Sequence, residues 1–138
     1  MNIPDQDDDP PPSRAEHLLH VAAIVQTELW RFDLNKRHLQ IISVLLNLSL
    51  GWGNETVKIK NLQTISDLTG LWPTNVSATI NELCLMRIVS ERQVGDLIEY
   101  RIDPDSDHWK CQPRQSAEKL VDTLHLVKML NRKPSEEN

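Results

Sequence analysis

Apolar and polar positions change period several times along this chain, and each change marks an element. Ser13 and Glu16 form an S-x-x-E capping box, which predicts a helix start. Leu18, Ala22, Val25 and Leu29 follow on one stripe, so that helix is expected to run to about Phe32. A second helix is expected to open with Asn35 as N-cap, with Leu34 and Leu39 spaced as a hydrophobic staple. Its body, LQIISVLLNLSL, is apolar nearly all round, as befits a helix central to the core or covered by a partner chain. Gly51-Trp52-Gly53-Asn54 ends it, and Thr56-Val57-Lys58-Ile59 alternates as a short strand able to pair with a hairpin.

Residues 61–102 supply the rest of the pattern. Leu62, Ile65 and Leu68 recur at helical spacing behind Asn61, a plausible N-cap, and Gly70 follows where a helix end favours a left-handed residue. Pro73 falls at a first helical position, and Val76, Ile80 and Leu83 give the next helix one buried face. A hairpin follows at once. With Gly95-Asp96 as its turn, the opposing pairs are Val94/Leu97, Gln93/Ile98, Arg92/Glu99, Glu91/Tyr100, Ser90/Arg101 and Val89/Ile102. One face then carries Ile98, Tyr100, Val89 and Ile102, and the other carries Arg92, Glu99 and Arg101. A one-residue slip would bury the charges, so the register is well specified. Helix, turn, helix and hairpin in that order predict a winged helix-turn-helix. The fold class is mainly α with a small β-hairpin wing, extended by N- and C-terminal helices.

Flanking segments are simpler. Residues 1–13 are rich in proline and aspartate and are expected to be a disordered tail, residues 14–110 the domain, and residues 111–138 a C-terminal helix and tail. That last helix should run from about Ser116 to Arg132, with Leu120, Leu124 and Val127 along one side and a fraying KPSEEN end. No internal repeat is present. At 138 residues with 39% hydrophobic content, the chain suits one modest globular core. It has no apolar run long enough for a membrane span, and its acidic start does not resemble a signal peptide. Two cysteines, Cys84 and Cys111, make a disulfide framework improbable, and the expected compartment is the reducing cytoplasm.

Net charge is −5, which taken globally argues against a nucleic-acid partner. Its distribution changes that. Asp5, Asp7, Asp8 and Asp9 lie in the leading tail, and Asp103, Asp105 and Asp107 follow the hairpin, so residues 14–102 balance to neutral. A neutral domain can still hold DNA through a local patch, weakly as a monomer.

Enzymatic and metal chemistry find little support. His17 with His20, and His108 with Cys111, fall short of the three or four ligands of a zinc site, so no metal and no other cofactor is expected. No phosphate-binding glycine loop, nucleophile elbow or triad spacing is present, and the chain reads as a non-enzyme. Trp30 and Trp52 are expected to cap the core near their helix ends, and Trp109 to dock the acidic loop. Trp72, in the turn entering the second motif helix, could lie against a sugar or a thymine methyl but is expected rather to pack on its own domain.

LNKRHLQIISVLLNLSLGW and ISDLTGLWPTNVSATINELCLMRIV together carry a family resemblance. The shared features are the Lys-Arg pair before the apolar helix, the Gly-Trp ending, the Leu-Thr-Gly turn, the Asn-Val-Ser opening and the Ile-Val exit. In these the chain resembles the N-terminal domain of phage replication protein O, a winged-helix domain that binds the phage origin. The resemblance implies a double-stranded DNA partner and a phage, prophage or mobile-element setting, with a role in replication.

Helical geometry then nominates contacts. With Val76, Ile80 and Leu83 inward, Thr74, Asn75, Ser77, Ala78 and Asn81 are candidates for base contacts at an A·T-leaning site. Lys36, Arg37, Lys58, Lys60, Arg92 and Arg101 are candidates for phosphate contacts. The stripes Leu18, Ala22, Val25, Leu29 and Leu120, Leu124, Val127 lie outside the minimal winged core and are expected to form a homodimer seam, or else to pack together within one chain. Two alternatives stand beside origin binding: a small dimeric winged-helix transcriptional regulator, and a winged-helix protein-interaction module without DNA binding. A replication or transcription protein is a possible further partner.

Overall fold

The structure, a computed structural model, describes residues 13–132. The leading tail before Ser13 and the KPSEEN end, with their expected disorder and fraying, lie outside the described residues. The elements run α1 (Arg14–Leu29), α2 (Lys36–Leu48), β1 (Thr56–Ile59), α3 (Gln63–Thr69), α4 (Pro73–Leu85), β2 (Val89–Val94), β3 (Leu97–Ile102) and α5 (Ala117–Leu130). Short 3-10 turns stand at Leu50–Trp52 and Ser106–His108. This is the expected winged helix-turn-helix, mainly α with a small antiparallel sheet.

Both N-terminal caps form. Ser13 Oγ accepts from the Glu16 N–H at 3.1 Å, while Glu16 Oε1 accepts from the Ser13 N–H at 3.0 Å. At α2, Asn35 Oδ1 accepts from the His38 N–H at 2.8 Å and His38 Nδ1 accepts from the Asn35 N–H at 3.2 Å. A histidine thus fills the return half of a box usually closed by Glu or Gln. With Nδ1 accepting, the ring proton sits on Nε2, which donates to Glu82 on α4 at 2.7 Å.

Only Gly53 lets α1 approach the end of α2. It has a φ of 82°, and a Cβ there would stand 2.8 Å from the Ala15 Cβ, closer than packed carbons tolerate. Across this contact α1 lays Leu18, Val25 and Leu29 into the core, with Ala22 partly buried beside them. These four were expected at a dimer seam. The structure corrects that: Leu18, Val25 and Leu29 are buried by their own chain, because α1 packs on α2 and the Leu50–Trp52 turn.

α2 runs through the centre, with Ile41, Ile42, Leu45 and Leu46 buried. Around it close Ile65 of α3, Val76, Ile80 and Leu83 of α4, and Val89, Tyr100 and Ile102 of the hairpin. α4 ends in a Schellman pattern: the Arg87 N–H donates to Cys84 O and the Ile88 N–H to Leu83 O, both at 3.1 Å. Arg87 takes the left-handed position, φ 62°, where glycine is usual.

Strand order is β1-β3-β2, all antiparallel. The hairpin pairs run Val89↔Ile102 through Val94↔Leu97, the register read from the sequence. At the turn Gly95 alone takes positive φ, 61°, as the first position of a type II′ turn requires. Tyr100, fully buried, donates its hydroxyl to Glu91 Oε2 at 2.6 Å across the strands. Burial first, then the Glu91 hydrogen bond and charge, push the phenol well above its ordinary range, so it remains a donor.

Residues 103–116 wrap back over the domain. Trp109 donates its indole N–H to Asp103 O at 2.9 Å and stands 5.1 Å from the Phe32 ring, docking the acidic loop as expected. Arg31, buried, donates to Glu28 and to Gln115 O, and Phe32 bridges to Pro113. These bonds tether the chain as far as the start of α5.

Four apolar residues depart from expectation. Trp30, Trp52 and Trp72 are exposed rather than packed, and Leu68 faces solvent at the end of α3. α3 is two turns long, too short to bury more than Ile65 and Ser66. Its N-cap is Leu62, one residue beyond Asn61, whose Oδ1 instead accepts from the Gln63 N–H at 3.0 Å. No helix among the described residues is long and apolar enough to cross a membrane. Among them, too, no cluster of three or more His, Cys, Asp or Glu could hold a metal ion.

Candidate nucleic-acid interface

The turn before α4 is held on both sides. Thr69 Oγ1 donates to Ile65 O at 2.8 Å and accepts from the Leu71 N–H at 3.2 Å, while Gln40 reaches across from α2 to Thr69 O at 3.2 Å. Ser66 Oγ donates to Leu71 O. Gly70 caps α3 with φ 79°, and Pro73 starts α4 at its first position. These bonds fix how α4 leaves the body of the domain.

α4 buries Val76, Thr79, Ile80 and Leu83, and presents Thr74, Ala78 and Asn81 to solvent with Asn75 and Ser77 half-buried at the margin. All five candidate base-contacting residues therefore reach one accessible side of the helix. Arg37, from the first turn of α2, donates to Asn75 Oδ1 at 3.3 Å. That bond joins a candidate phosphate contact to a candidate base contact and holds the Asn75 amide by its oxygen. Sequence spacing gave no hint of it, since the two residues lie on different helices.

The six candidate phosphate contacts divide into two sets, all exposed. Lys36, Arg37, Lys60 and Arg101 have no carboxylate within ion-pair distance among the described residues. Lys58 and Arg92 do have one. Strand pairing puts Lys58, Glu99 and Arg92 in a single row across β1, β3 and β2, with Lys58 3.4 Å and Arg92 2.9 Å from the Glu99 carboxylate. Thr56 adds a hydrogen bond at 3.3 Å. Desolvation raises the Glu99 pKa, but the Arg92 charge and the bonds from Lys58, Arg92 and Thr56 outweigh it, leaving the group below the ordinary carboxylate range. Glu99 stays ionised at neutral pH and offsets the wing's positive charge. The Arg92/Glu99 pair was visible in the hairpin register, but the third member depends on how β1 pairs.

A prediction follows for that row. Glu99→Gln removes one negative charge and releases two cations on an exposed sheet face. DNA affinity should rise, and the log–log salt slope should steepen by up to about 0.9 for each released cation that meets a phosphate. Fluorescence anisotropy across a salt series measures both. An unchanged slope would mean that the wing does not approach DNA.

The dimer candidates of α5 are placed unevenly. Leu120 is buried and Leu124 partly covered, whereas Val127 is half exposed, in company with Val121, Leu126, Met129 and Leu130.

Comparison with known proteins bears on this arrangement. The sequence pattern of the family described as bacteriophage replication protein O matches residues 16–109, from the first turn of α1 to Trp109. The chain belongs to that family. The matched span of this replication protein O domain takes in α2, the helix-turn-helix and the whole wing. No curated protein matches the chain. Two solved structures from Mycobacterium bovis are similar to it. One is a crystal structure of a possible transcriptional regulatory protein, fragment 1–100, with 22% identity and a TM-score of 0.37 over 84% of this chain and 96% of its own. The other is a solution NMR structure described as the homodimeric winged helix-turn-helix DNA-binding domain of a possible ArsR-family transcriptional regulator. It has 23% identity and a TM-score of 0.38 over 95% of this chain and 96% of its own.

Proposed function

We propose that this domain binds double-stranded DNA in a sequence-specific way, with α4 in the major groove and the wing along the backbone, and that its target is a replication origin of a phage, prophage or mobile element. The observation that carries the reading is the exposed side of α4. Thr74, Asn75, Ala78 and Asn81 stand there, tied through Arg37 to the basic start of α2. Membership in the replication protein O family supports origin binding over transcriptional control.

Asn75 and Asn81 each present an amide able to bridge the N6 and N7 edge of adenine, Thr74 and Ser77 bond bases or phosphate, and Ala78 suits a thymine methyl. The preferred site is accordingly A·T-leaning. Lys36, Arg37, Lys60 and Arg101 contact phosphates, and Lys58 and Arg92 contribute less because Glu99 holds them. With about two to four phosphates met per copy, a monomer binds weakly. The domain therefore acts as a homodimer, joined through the exposed apolar side of α5 and not through α1.

The test starts from duplex enriched by the protein from a random pool. Asn75→Ala and Asn81→Ala should each cost about 1–3 kcal/mol on that duplex, the scale of a lost bidentate base contact. If both variants bind as the parent does, α4 is not the reading helix. A repeated array in the enriched or natural target favours replication, and a lone palindrome favours a transcriptional regulator. Absence of binding even at low salt favours a protein-interaction module.

A further inference from the structure

Three of the four tryptophans are exposed: Trp30 by 65%, Trp52 by 68% and Trp72 by 76%. An indole left in water contributes little to the core and forgoes the area it would otherwise bury, about 150–250 Å². Trp72 differs from the other two in its position. It is the residue before α4, and its carbonyl accepts from the Asn75 N–H at 2.9 Å and the Val76 N–H at 3.0 Å. Pro73 disfavours the helical region for the residue before it, and Trp72 accordingly has ψ 144°. Trp72 is therefore the extended N-cap residue at the mouth of the helix, and its indole is exposed there.

Trp72 thus stands one helical turn before Asn75, its carbonyl bonded to the Asn75 N–H, and the Asn75 amide oxygen accepts from Arg37. Its indole N–H has no acceptor among the described residues. Arg37, bonded to that Asn75, and Lys36, its neighbour in sequence, have no carboxylate partner among those residues, so the start of α2 suits a polyanion. Duplex DNA offers one apolar group to a side chain in the major groove, the C5-methyl of thymine.

We propose that Trp72 is a DNA-contact residue whose indole packs on a thymine methyl at the edge of the α4 site. The inference rests on the duplex-binding reading above. It adds an apolar specificity contact to a helix whose other candidate contacts are small or polar.

The experiment uses the enriched duplex and the same duplex with uracil in place of thymine, each bound to the parent, Trp72→Ala and Trp72→Phe and followed by anisotropy. Trp72→Ala should weaken binding about tenfold or more. Uracil should weaken the parent roughly fourfold, the scale of one buried methyl group, and leave Trp72→Ala unaffected. Trp72→Phe should retain part of both effects. Thermal melting of both variants should match the parent, because the indole is exposed. Binding by Trp72→Ala equal to the parent overturns the proposal and leaves DNA binding standing. So does a uracil penalty shared equally by parent and variant, which would assign the methyl contact to another residue. An earlier melt for Trp72→Ala would show the indole to be packed, and also overturns it. A parent that binds no duplex at all overturns the DNA-binding reading and this inference together.

Discussion

Val25→Asp is expected to destabilise the whole domain severely. Val25 has no solvent exposure and belongs to the core cluster from the second half of α1, a helix that packs on α2 and the turn after it. An unpaired carboxylate at such a site costs about 3–5 kcal/mol, a large part of the 5–15 kcal/mol that holds a domain of this size. At about 4 °C per kcal/mol, between the figures for smaller and larger domains, the melting temperature should fall by roughly 12–20 °C. Differential scanning calorimetry or thermal circular dichroism measures it. The result separates two roles for the stripe that begins at Leu18. A seam residue would lower the oligomer mass and leave the monomer folded, whereas a core residue takes the fold with it. A folded Val25→Asp variant of reduced mass would restore α1 to the interface.

The fold was legible because its signals were local or strictly periodic. The Ser13/Glu16 box, Pro73 at the first position of α4, and the Gly95-Asp96 turn are short-range devices, and each appears where expected. Hairpin register was readable for a different reason. With a period of two, only one pairing put Tyr100 and Ile102 inward and Arg92 outward. What stayed hidden depended on neighbours remote in sequence. The α1 stripe was apolar at the right spacing, but nothing in spacing says whether such a face meets its own chain or another. The contact that settled it runs through Ala15 and Gly53. The three exposed tryptophans were misplaced by the same kind of reasoning, since large apolar residues are buried on average and only the packed structure shows which are not.

The candidate interface was legible as a set of residues but not as a circuit. Helical geometry identified the outward side of α4, yet the Arg37–Asn75 bond and the Lys58–Glu99–Arg92 row are both tertiary. They change what the residues can do. Arg37 holds the amide of a candidate base contact, and Glu99 withholds two of the cations that composition alone would assign to phosphate. The neutral charge of this domain is therefore arranged, with Lys36, Arg37, Lys60 and Arg101 unpaired among the described residues and Lys58 and Arg92 neutralised by Glu99 on the wing. Wing contacts should be the weaker part of any DNA complex, and a second copy the stronger route to affinity.

That second copy leads to the effect expected to be largest on DNA binding, in Leu126→Glu. Beyond Leu120 the α5 helix leaves Val121, Leu126, Val127, Met129 and Leu130 exposed, and nothing else among the described residues covers them. The charges of α5 indicate the orientation of a partner. Glu118 and Asp122 lie in the first half, Lys128 lies in the second with Arg132 just beyond it, and Lys119 is the one charge against the pattern. Two copies packed antiparallel about a two-fold axis set acidic first halves against basic second halves, whereas a parallel pair opposes like charges. Leu126→Glu inserts a charge into that apolar surface and, because Leu126 is exposed in the single chain, should leave the fold intact. Light scattering should show the mass halved, and binding to a duplex with two sites should fall by about 10²–10⁴, the advantage that joining two copies confers. Binding to a single half-site should hardly change. Asp122→Lys should weaken the dimer as well, and Lys128→Glu in the same chain should recover part of it only if the helices run antiparallel. A parent protein that is monomeric at micromolar concentration would end the dimer proposal before any variant is made.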